Sequence, residues 1–184
     1  WAGPGDNLFM QCCTANCTRA LWFLWSHILH FKDGELKVNM LLNRASPWAD
    51  VHSFIPCQGR VEIKIRRPCR RVLVHAPEWI DTGSKEITVQ VGGQPRAFNW
   101  QGRYLKLGGV KAGERIVIRC PIGERTVKEK MGRITYTLLV RGNTIVSIDP
   151  PGRFCPLFQR EHLRTGEPRW RKVRRFVAGK QIDY

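Results

Sequence analysis

The sequence predicts a mainly β protein, an antiparallel β-sandwich preceded by one long buried helix. Three observations predict this fold class. Residues 20–31 form a strongly apolar run that would cover most of a helical circumference, and such a helix has to be buried on several sides. After this run the hydrophobic period changes from about 3.6 to about 2, the period of a strand with one buried face. Short alternating segments separated by glycine and proline then follow, which is typical of a sandwich.

The helix is predicted to begin next to an adjacent pair of cysteines, Cys12 and Cys13. Thr14 and Asn16 are both suitable N-caps, which would place the pair at or just outside the first turn. Residues 32–34 are predicted to end the helix. Because a helix N-terminus favours negative charge, it would lower the pKa of a thiol there and favour the nucleophilic, metal-binding thiolate. The alternative is a buried structural role, since cysteine also behaves as a small apolar residue.

The strands are predicted from alternating apolar and polar residues and from the turn signals between them. Residues 60–66 alternate most clearly, and Gly92-Gly93 is a hairpin turn signal. The predicted strands are residues 36–43, 51–55, 60–66, 71–76, 86–91, 96–100, 103–107, 115–120, 134–140 and 144–148.

The net charge of +16 is distributed unevenly along the 184 residues. The first 56 residues contain four basic and four acidic side chains, so the whole excess of positive charge follows Pro56. A field of this kind can attract nucleic acid or another polyanion. Most of the basic residues alternate with apolar ones, however, as they do on the solvated face of a strand. A solvated face is therefore the favoured interpretation, and a polyanion-binding tail is the alternative.

The seven cysteines form no regular disulfide framework, and no C-x-x-C motif occurs. This usage predicts free thiols in a reducing compartment, hence a cytoplasmic protein, and excludes a self-contained zinc knuckle. No run reaches the ~18 consecutive apolar residues of a membrane span. The chain begins at Trp1, which indicates the carboxy-terminal piece of a longer protein.

Other catalytic patterns are missing from the sequence. It contains no phosphate-binding glycine loop, nucleophile elbow or nucleotide signature. His27 and His30 are three residues apart, but without a third ligand they are predicted to be packed helix residues and not a metal site. The cysteine pair is therefore the strongest candidate for chemistry.

Residues 5–16 and 18–21, which surround Cys12 and Cys13, resemble the Cys-Cys-x-x-Asn…Arg segment of glycoside hydrolase family 127, the β-L-arabinofuranosidases. The similarity continues through residues 38–48, 59–65, 76–79, 150–153 and 158–162. The resemblance implies an (α/α)6 barrel followed by β-sandwich domains, so that this helix would be the last helix of the barrel. It also implies that Cys12 is the retaining nucleophile and that Cys12 and Cys13 both bind zinc. The remaining zinc ligands and the general acid/base glutamate would lie upstream.

The sequence thus predicts the carboxy-terminal part of a zinc-dependent retaining glycoside hydrolase with a cysteine nucleophile, acting on L-arabinofuranosides. Its parts would be the end of a catalytic helical barrel domain (residues 1–35), a β-sandwich (36–150) and a basic tail packed on the rest (151–184). The expected partners are a carbohydrate substrate and the upstream catalytic domain, with neither a membrane nor nucleic acid. Homodimerisation through a sandwich edge or the tail is left open. The alternative function is a non-catalytic sandwich module that binds carbohydrate or a polyanion.

Overall fold

Helix α1 opens the described part of the chain and is followed by fourteen strands and one short 3-10 helix. The computed structural model describes residues 11–151, 160–167 and 177. The elements are α1 (Gln11–His27), β1 (Leu29–Lys32), β2 (Glu35–Val38), β3 (Arg44–Ala45), β4 (Ala49–Ser53), β5 (Arg60–Ile65), β6 (Arg71–His75), β7 (Thr88–Val91), β8 (Gln94–Pro95), β9 (Asn99–Gln101), β10 (Tyr104–Leu107), β11 (Arg115–Arg119), β12 (Glu124–Met131), β13 (Ile134–Arg141), β14 (Thr144–Asp149) and the 3-10 helix (Glu161–Arg164).

Two sheets form the sandwich. The first has the strand order β1-β2-β6-β10-β9 and the second β3-β4-β5-β11-β7-β8. In β5, buried residues alternate with half-buried ones, as the period-2 pattern predicts. The buried side chains of both sheets, such as Leu36, Ile63, Leu105 and Ile116, belong to one apolar cluster. The predicted sandwich preceded by a helix is therefore confirmed.

One strand pair departs from the predicted antiparallel arrangement. β2 runs parallel to β6, with Val38 opposite Val74, while the other named pairs of described strands are antiparallel. Between β2 and β6 the chain crosses into the second sheet to form β3, β4 and β5. It then returns to the first sheet in its original direction, which makes the pair parallel.

The third sheet, β12-β13-β14, holds the described part of the tail. Arg164 donates hydrogen bonds from Nε to Glu124 Oε1 at 2.8 Å and from Nη2 to Glu124 Oε2 at 2.9 Å. The amide of Arg160 donates to the Val146 carbonyl at 2.6 Å. Gln58 Nε2 donates to the Gly166 carbonyl at 2.7 Å. Residues 160–167 therefore contact both this sheet and the sandwich, and the rest of the predicted tail, apart from residues 151 and 177, lies outside the described residues.

The predicted helix ends were wrong. Thr14 and Asn16 lie inside α1, which is already helical at Gln11, so neither is an N-cap. The helix stops at His27, and the apolar residues that follow pair as β1 with β2. Asp33 and Gly34 have φ values of 50° and 73° and form the two-residue turn of this hairpin, the conformation that Asp-Gly favours.

Strand β12 was not predicted. Its eight residues are exposed except Val127, which is half-buried, and its sequence gives no apolar alternation because charged residues occupy both faces. It forms by pairing along its whole length with β13. The predicted strand at 36–43 also ends early, at Val38. The predicted division at residues 35/36 and 150/151 stays a prediction.

Candidate functional site

The candidate site is the N-terminal end of helix α1. The backbone of Cys12 and Cys13 lies in the first turn, which contains no acidic residue. The positive end of the helix dipole favours a thiolate at this position. The side chains of both cysteines lie outside the described residues. The assignment of Cys12 as nucleophile and of Cys12 and Cys13 as zinc ligands therefore stays a prediction.

The opposite end of α1 is fixed to the sandwich by Arg44 of β3. Its Nη1 lies 2.6 Å from the Trp25 carbonyl oxygen, 2.8 Å from that of Ser26 and 3.5 Å from that of Leu29. The guanidinium also lies 4.3 Å from the centre of the Trp25 ring. The last carbonyls of a helix lack partners within the helix and carry partial negative charge. Arg44 supplies both hydrogen bonds and a compensating positive charge.

Asn39, just after β2, makes the second attachment of the helix. Its backbone amide donates to the Ile28 carbonyl at 2.9 Å, and its side-chain Nδ2 donates to the His27 carbonyl at 2.9 Å. Burial lowers the pKa of Arg44, but the three carbonyls favour its charged form. Together Arg44 and Asn39 set the direction in which α1 leaves the sandwich, and hence the position of its first turn.

Helix α1 is exposed all round over residues 15–24, although several of these residues are apolar. Leu21 and Leu24 retain 66% and 52% of their accessible surface, and Trp22 and Phe23 are also exposed. Trp25 packs on the sandwich core and stacks on Trp22 at a ring-centre distance of 5.2 Å. The described residues do not bury this helix on several sides. The resemblance places its remaining walls in an upstream domain, so the predicted burial stays a prediction. An apolar surface of this kind marks an interaction site.

The other described cysteines do not extend the site. Cys17, Cys57, Cys69 and Cys120 are free thiols, as predicted. Burial raises the pKa of both Cys69 and Cys120 to about 11, so neither is a thiolate at neutral pH. Cys17 is exposed on α1, about one turn after the pair.

The histidines and carboxylates do not extend it either. His30 belongs to strand β1 and not to the helix, so His27 and His30 share no helix face, and both are exposed. The prediction that they are packed helix residues was wrong. Buried Asp50 receives two hydrogen bonds from Arg66, at 2.9 and 2.6 Å. Within residues 11–151, 160–167 and 177, no three His, Cys, Asp or Glu side chains are grouped so as to hold a metal ion.

Sequence reasoning missed Arg44 and Asn39. Their bonds to α1 join residues 12 to 19 positions apart, a separation at which no local pattern is expected. One sequence signal could have helped. Asp33-Gly34 is a hairpin turn signal, and treating the residues before it as a strand would have ended the predicted helix before β1. No described helix is long and apolar enough to cross a membrane.

No protein-family model matches the sequence, and no curated protein matches it. Solved structures do match the fold. Ara127N-Se, a GH127 β-L-arabinofuranosidase from Geobacillus stearothermophilus T6, is 14% identical with a TM-score of 0.53, and the match covers 73% of this chain and 23% of that one. A GH127 β-arabinofuranosidase is 18% identical with a TM-score of 0.53, covering 73% of this chain and 25% of its own.

A third structure, described as a glycoside hydrolase, is 15% identical with a TM-score of 0.54 and covers 74% of this chain and 25% of its own. This chain therefore spans about a quarter of the length of the enzymes it matches. At these identities the likeness concerns the fold. The chain has the fold of one part of the GH127 glycoside hydrolases, a helix followed by a β-sandwich.

Proposed function

We propose that this chain is the carboxy-terminal part of a zinc-dependent retaining glycoside hydrolase that uses a cysteine nucleophile and acts on L-arabinofuranosides. The observation that carries the proposal is the match in fold to GH127 enzymes over nearly three quarters of the chain. The position of the Cys12-Cys13 pair in the first turn of α1 supports it.

The catalytic domain that completes the site would precede this chain and cover the exposed part of α1, residues 15–24. The apolar side chains of Leu21, Trp22, Phe23 and Leu24 support such a contact, because a helix with an uncovered apolar side is stabilised by a protein surface packed against it. In that arrangement the sandwich holds the C-terminal end of α1, and the upstream domain surrounds the end that carries the cysteines.

Cys12 would act as the nucleophile. The N-terminus of α1 favours its thiolate, which would attack the anomeric carbon of the sugar while a carboxylic acid from the upstream domain protonates the leaving oxygen. The product of this step is a thioglycoside between Cys12 and the sugar. Water would then attack the same carbon with help from the same carboxyl group, now acting as a base, and release Cys12 with net retention.

Zinc is the cofactor in this proposal. Two adjacent thiols are a suitable but incomplete donor set, because a structural zinc ion takes four ligands in tetrahedral geometry. Cys12 and Cys13 would supply two ligands, and the upstream domain would supply the others. When bound, zinc would stabilise the thiolate form of the ligating cysteines. Free thiols on the described residues agree with a reducing compartment such as the cytoplasm, which we propose as the location.

The test uses the parent polypeptide, this chain together with its upstream domain, and a nitrophenyl β-L-arabinofuranoside. Cys12→Ser should abolish hydrolysis, and mass spectrometry of quenched wild-type protein should find the sugar on the peptide that contains Cys12. The matched control is Cys17→Ser, which changes an exposed thiol on the same helix and should leave turnover unchanged.

Zinc content is measured separately in the same variants. Cys13→Ser should lower the zinc bound per chain, because it removes one ligand, while Cys17→Ser should not. Turnover by Cys12→Ser at the wild-type rate would refute the nucleophile assignment. Unchanged zinc content in Cys13→Ser would refute the metal assignment.

A further inference from the structure

A cleft of about 440 Å³ lies beside the C-terminal end of α1. Four segments form its walls: the loop after β2 (residues 39–43), the end of β4 with Ile55, the end of β6 with the segment that follows it, and the turn between β13 and β14. The cleft is within the size range of small-ligand sites, about 300 to 1,000 Å³. It uses none of the cysteines and is a separate feature of the sandwich.

The described residues that line the cleft include no Lys, Arg, Asp or Glu. This is unexpected on a chain with a net charge of +16. A site for a polyanion would present basic side chains, because phosphate and sulfate recognition depends on them. The composition of the walls instead suits a ligand without charge.

The polar groups of the cleft can both donate and accept hydrogen bonds. Asn39, Asn43 and Asn143 contribute amides, and Thr144 contributes a hydroxyl. Trp79 adds an aromatic ring. A sugar has the matching chemistry, since its hydroxyls donate and accept and its C–H groups form apolar patches that pack on aromatic rings.

Two of the amides are held in place by the fold. Asn39 Oδ1 accepts a hydrogen bond from the Tyr104 hydroxyl at 3.0 Å, and its Nδ2 donates to the His27 carbonyl. Asn43 Oδ1 accepts from the Ser53 amide at 2.7 Å. Side chains that are fixed before binding lose little entropy when a ligand arrives, which raises affinity.

Trp79 is fixed by the turn between β13 and β14. Gly142 has a φ of +60°, and a Cβ there would lie 3.4 Å from two carbons of the indole ring. The Nε1 of Trp79 is buried and has no hydrogen-bond partner among the described residues. A buried donor without a partner is uncommon in a folded protein. Because this N–H is enclosed by protein, the aromatic surface of Trp79, and not its N–H, is what the residue contributes to the cleft.

We propose that this cleft binds a neutral saccharide of one or two sugar units, with Trp79 packing on the ring and Asn43, Asn143 and Thr144 bonding its hydroxyls. The proposal goes beyond the glycosidase function, since it requires neither Cys12 nor zinc. It also selects between the two ligands of a sandwich module, carbohydrate and polyanion, in favour of carbohydrate.

The test is saturation-transfer NMR on the 184-residue chain with L-arabinose, D-xylose, D-galactose and their methyl glycosides as probes. At least one sugar should receive saturation, with a dissociation constant in the millimolar range or lower. Trp79→Phe keeps an aromatic ring but removes the indole N–H, and Asn143→Ala removes an exposed amide. Asn143→Ala should weaken binding about fivefold, the effect of losing one hydrogen bond of ~1 kcal/mol. Trp79→Phe should also weaken binding, because the smaller ring offers less aromatic surface for the sugar to pack on.

The matched controls are Trp100→Phe and Asn99→Ala, which alter a tryptophan and an exposed amide outside the cleft. Both should bind the sugar as the wild type does. The dissociation constant should be the same at about 0.05 and 0.5 M NaCl. Salt weakens charged contacts by screening them, so binding that uses none should not depend on salt. It should also persist in Cys12→Ser with a chelator, which separates this site from the glycosidase proposal.

Three results would overturn the proposal. These are no saturation of any probe, an equal loss of binding in the control variants, and displacement of the sugar by a short heparin fragment in low salt. Asn143→Ala keeps the test decisive if Trp79→Phe fails to fold, because Asn143 lies in an exposed turn.

Discussion

The guanidinium of Arg44 donates a 2.6 Å hydrogen bond to the carbonyl oxygen of Trp25, nineteen residues earlier in the chain. This bond joins the last turn of the helix to the first strand of the six-stranded sheet. Its neighbours at Ser26 and Leu29 make Arg44 the cap of the helix C-terminus. Because residues 15–24 of α1 are all exposed, the bonds at this end are the ones that orient the helix on the sandwich.

Arg44→Met should therefore destabilise the chain strongly. Methionine retains part of the packing on Trp25 but leaves carbonyls of the helix end without a partner, at a cost of about 2 to 3 kcal/mol. Urea unfolding followed by circular dichroism measures the difference. Arg133→Met is the control, because Arg133 is exposed at the β12–β13 turn, and it should change stability by less than about 0.5 kcal/mol. Equal losses in both variants would contradict the capping role.

Gly59→Ala should be far more harmful than Gly123→Ala. A Cβ on Gly59 would lie 1.9 Å from the Cys120 carbonyl oxygen, a backbone atom that cannot move aside cheaply, whereas a Cβ on Gly123 would meet nothing within 4 Å. We expect Gly59→Ala to cost about 2 to 3 kcal/mol, since the backbone there must shift to relieve the overlap. Thermal unfolding of the two variants measures the contrast, and similar melting temperatures would show that the approach of the two segments is looser than described.

The stability of the chain should fall as the pH rises from about 9 to about 11. Burial raises the pKa of Cys69 to about 11 from the ordinary value of 9.0, and that of Cys120 likewise. In this window the unfolded chain has lost these protons and the folded chain still binds them, so the free energy of unfolding decreases with pH. Below pH 9 both states are protonated and the contribution is constant.

The measurement compares urea unfolding of wild type and Cys69→Ala at pH 8 and pH 10.5. The wild type should lose more stability between the two pH values than the variant, because the variant no longer has this thiol. Cys17→Ser serves as control, since Cys17 is exposed, and should keep the wild-type pH dependence. An equal loss of unfolding free energy in wild type and Cys69→Ala would show that the raised pKa of Cys69 does not cause the pH dependence.

The exposed apolar residues of α1 should make the isolated chain self-associate. Substituting both Leu21 and Leu24 by lysine should lower the binding of a hydrophobic dye and shift the chain toward monomer in light scattering, because it divides the largest exposed apolar surface on the helix. The control is the pair Met131→Lys and Ile134→Lys at the β12–β13 turn, also exposed. If the control pair has the larger effect, the helix is not the associating surface.

Sandwich strands with one buried face were predictable from sequence, and strands without one were not. β5 and β11 could be predicted because each has apolar residues at alternate positions and one face in the core. β12 could not, since its charged residues occupy both faces and it forms by pairing with β13. The helix was extended too far because Ile28 and Leu29 continue an apolar run, yet both belong to the sandwich core. A local sequence pattern does not show which other element an apolar residue will pack against.

The cysteines of the candidate site could be predicted from the sequence, but the residues that hold the helix in position could not. Cys12 and Cys13 were selected because two thiols at a helix start carry a recognisable chemistry. Arg44 and Asn39 were not selected, because their bonds to the helix depend on the hairpin folding back to the end of α1. The cleft around Trp79 was missed for the same reason, since four separate segments form its walls.

Among the described residues, the hydrogen bonds that fix α1 to the sandwich lie at its C-terminal end, so a tilt of the helix there is magnified toward Cys12. From Cys12 to His27 the axis is about 22 Å long at ~1.5 Å per residue. A tilt of about 5° at the Arg44 end would displace the cysteine end by roughly 2 Å, and a shift of ~1 Å can cost an enzyme a hundredfold in rate. Under the proposed function, substitutions in the sandwich that tilt α1 should therefore lower turnover by the parent protein, although they lie far from the cysteines.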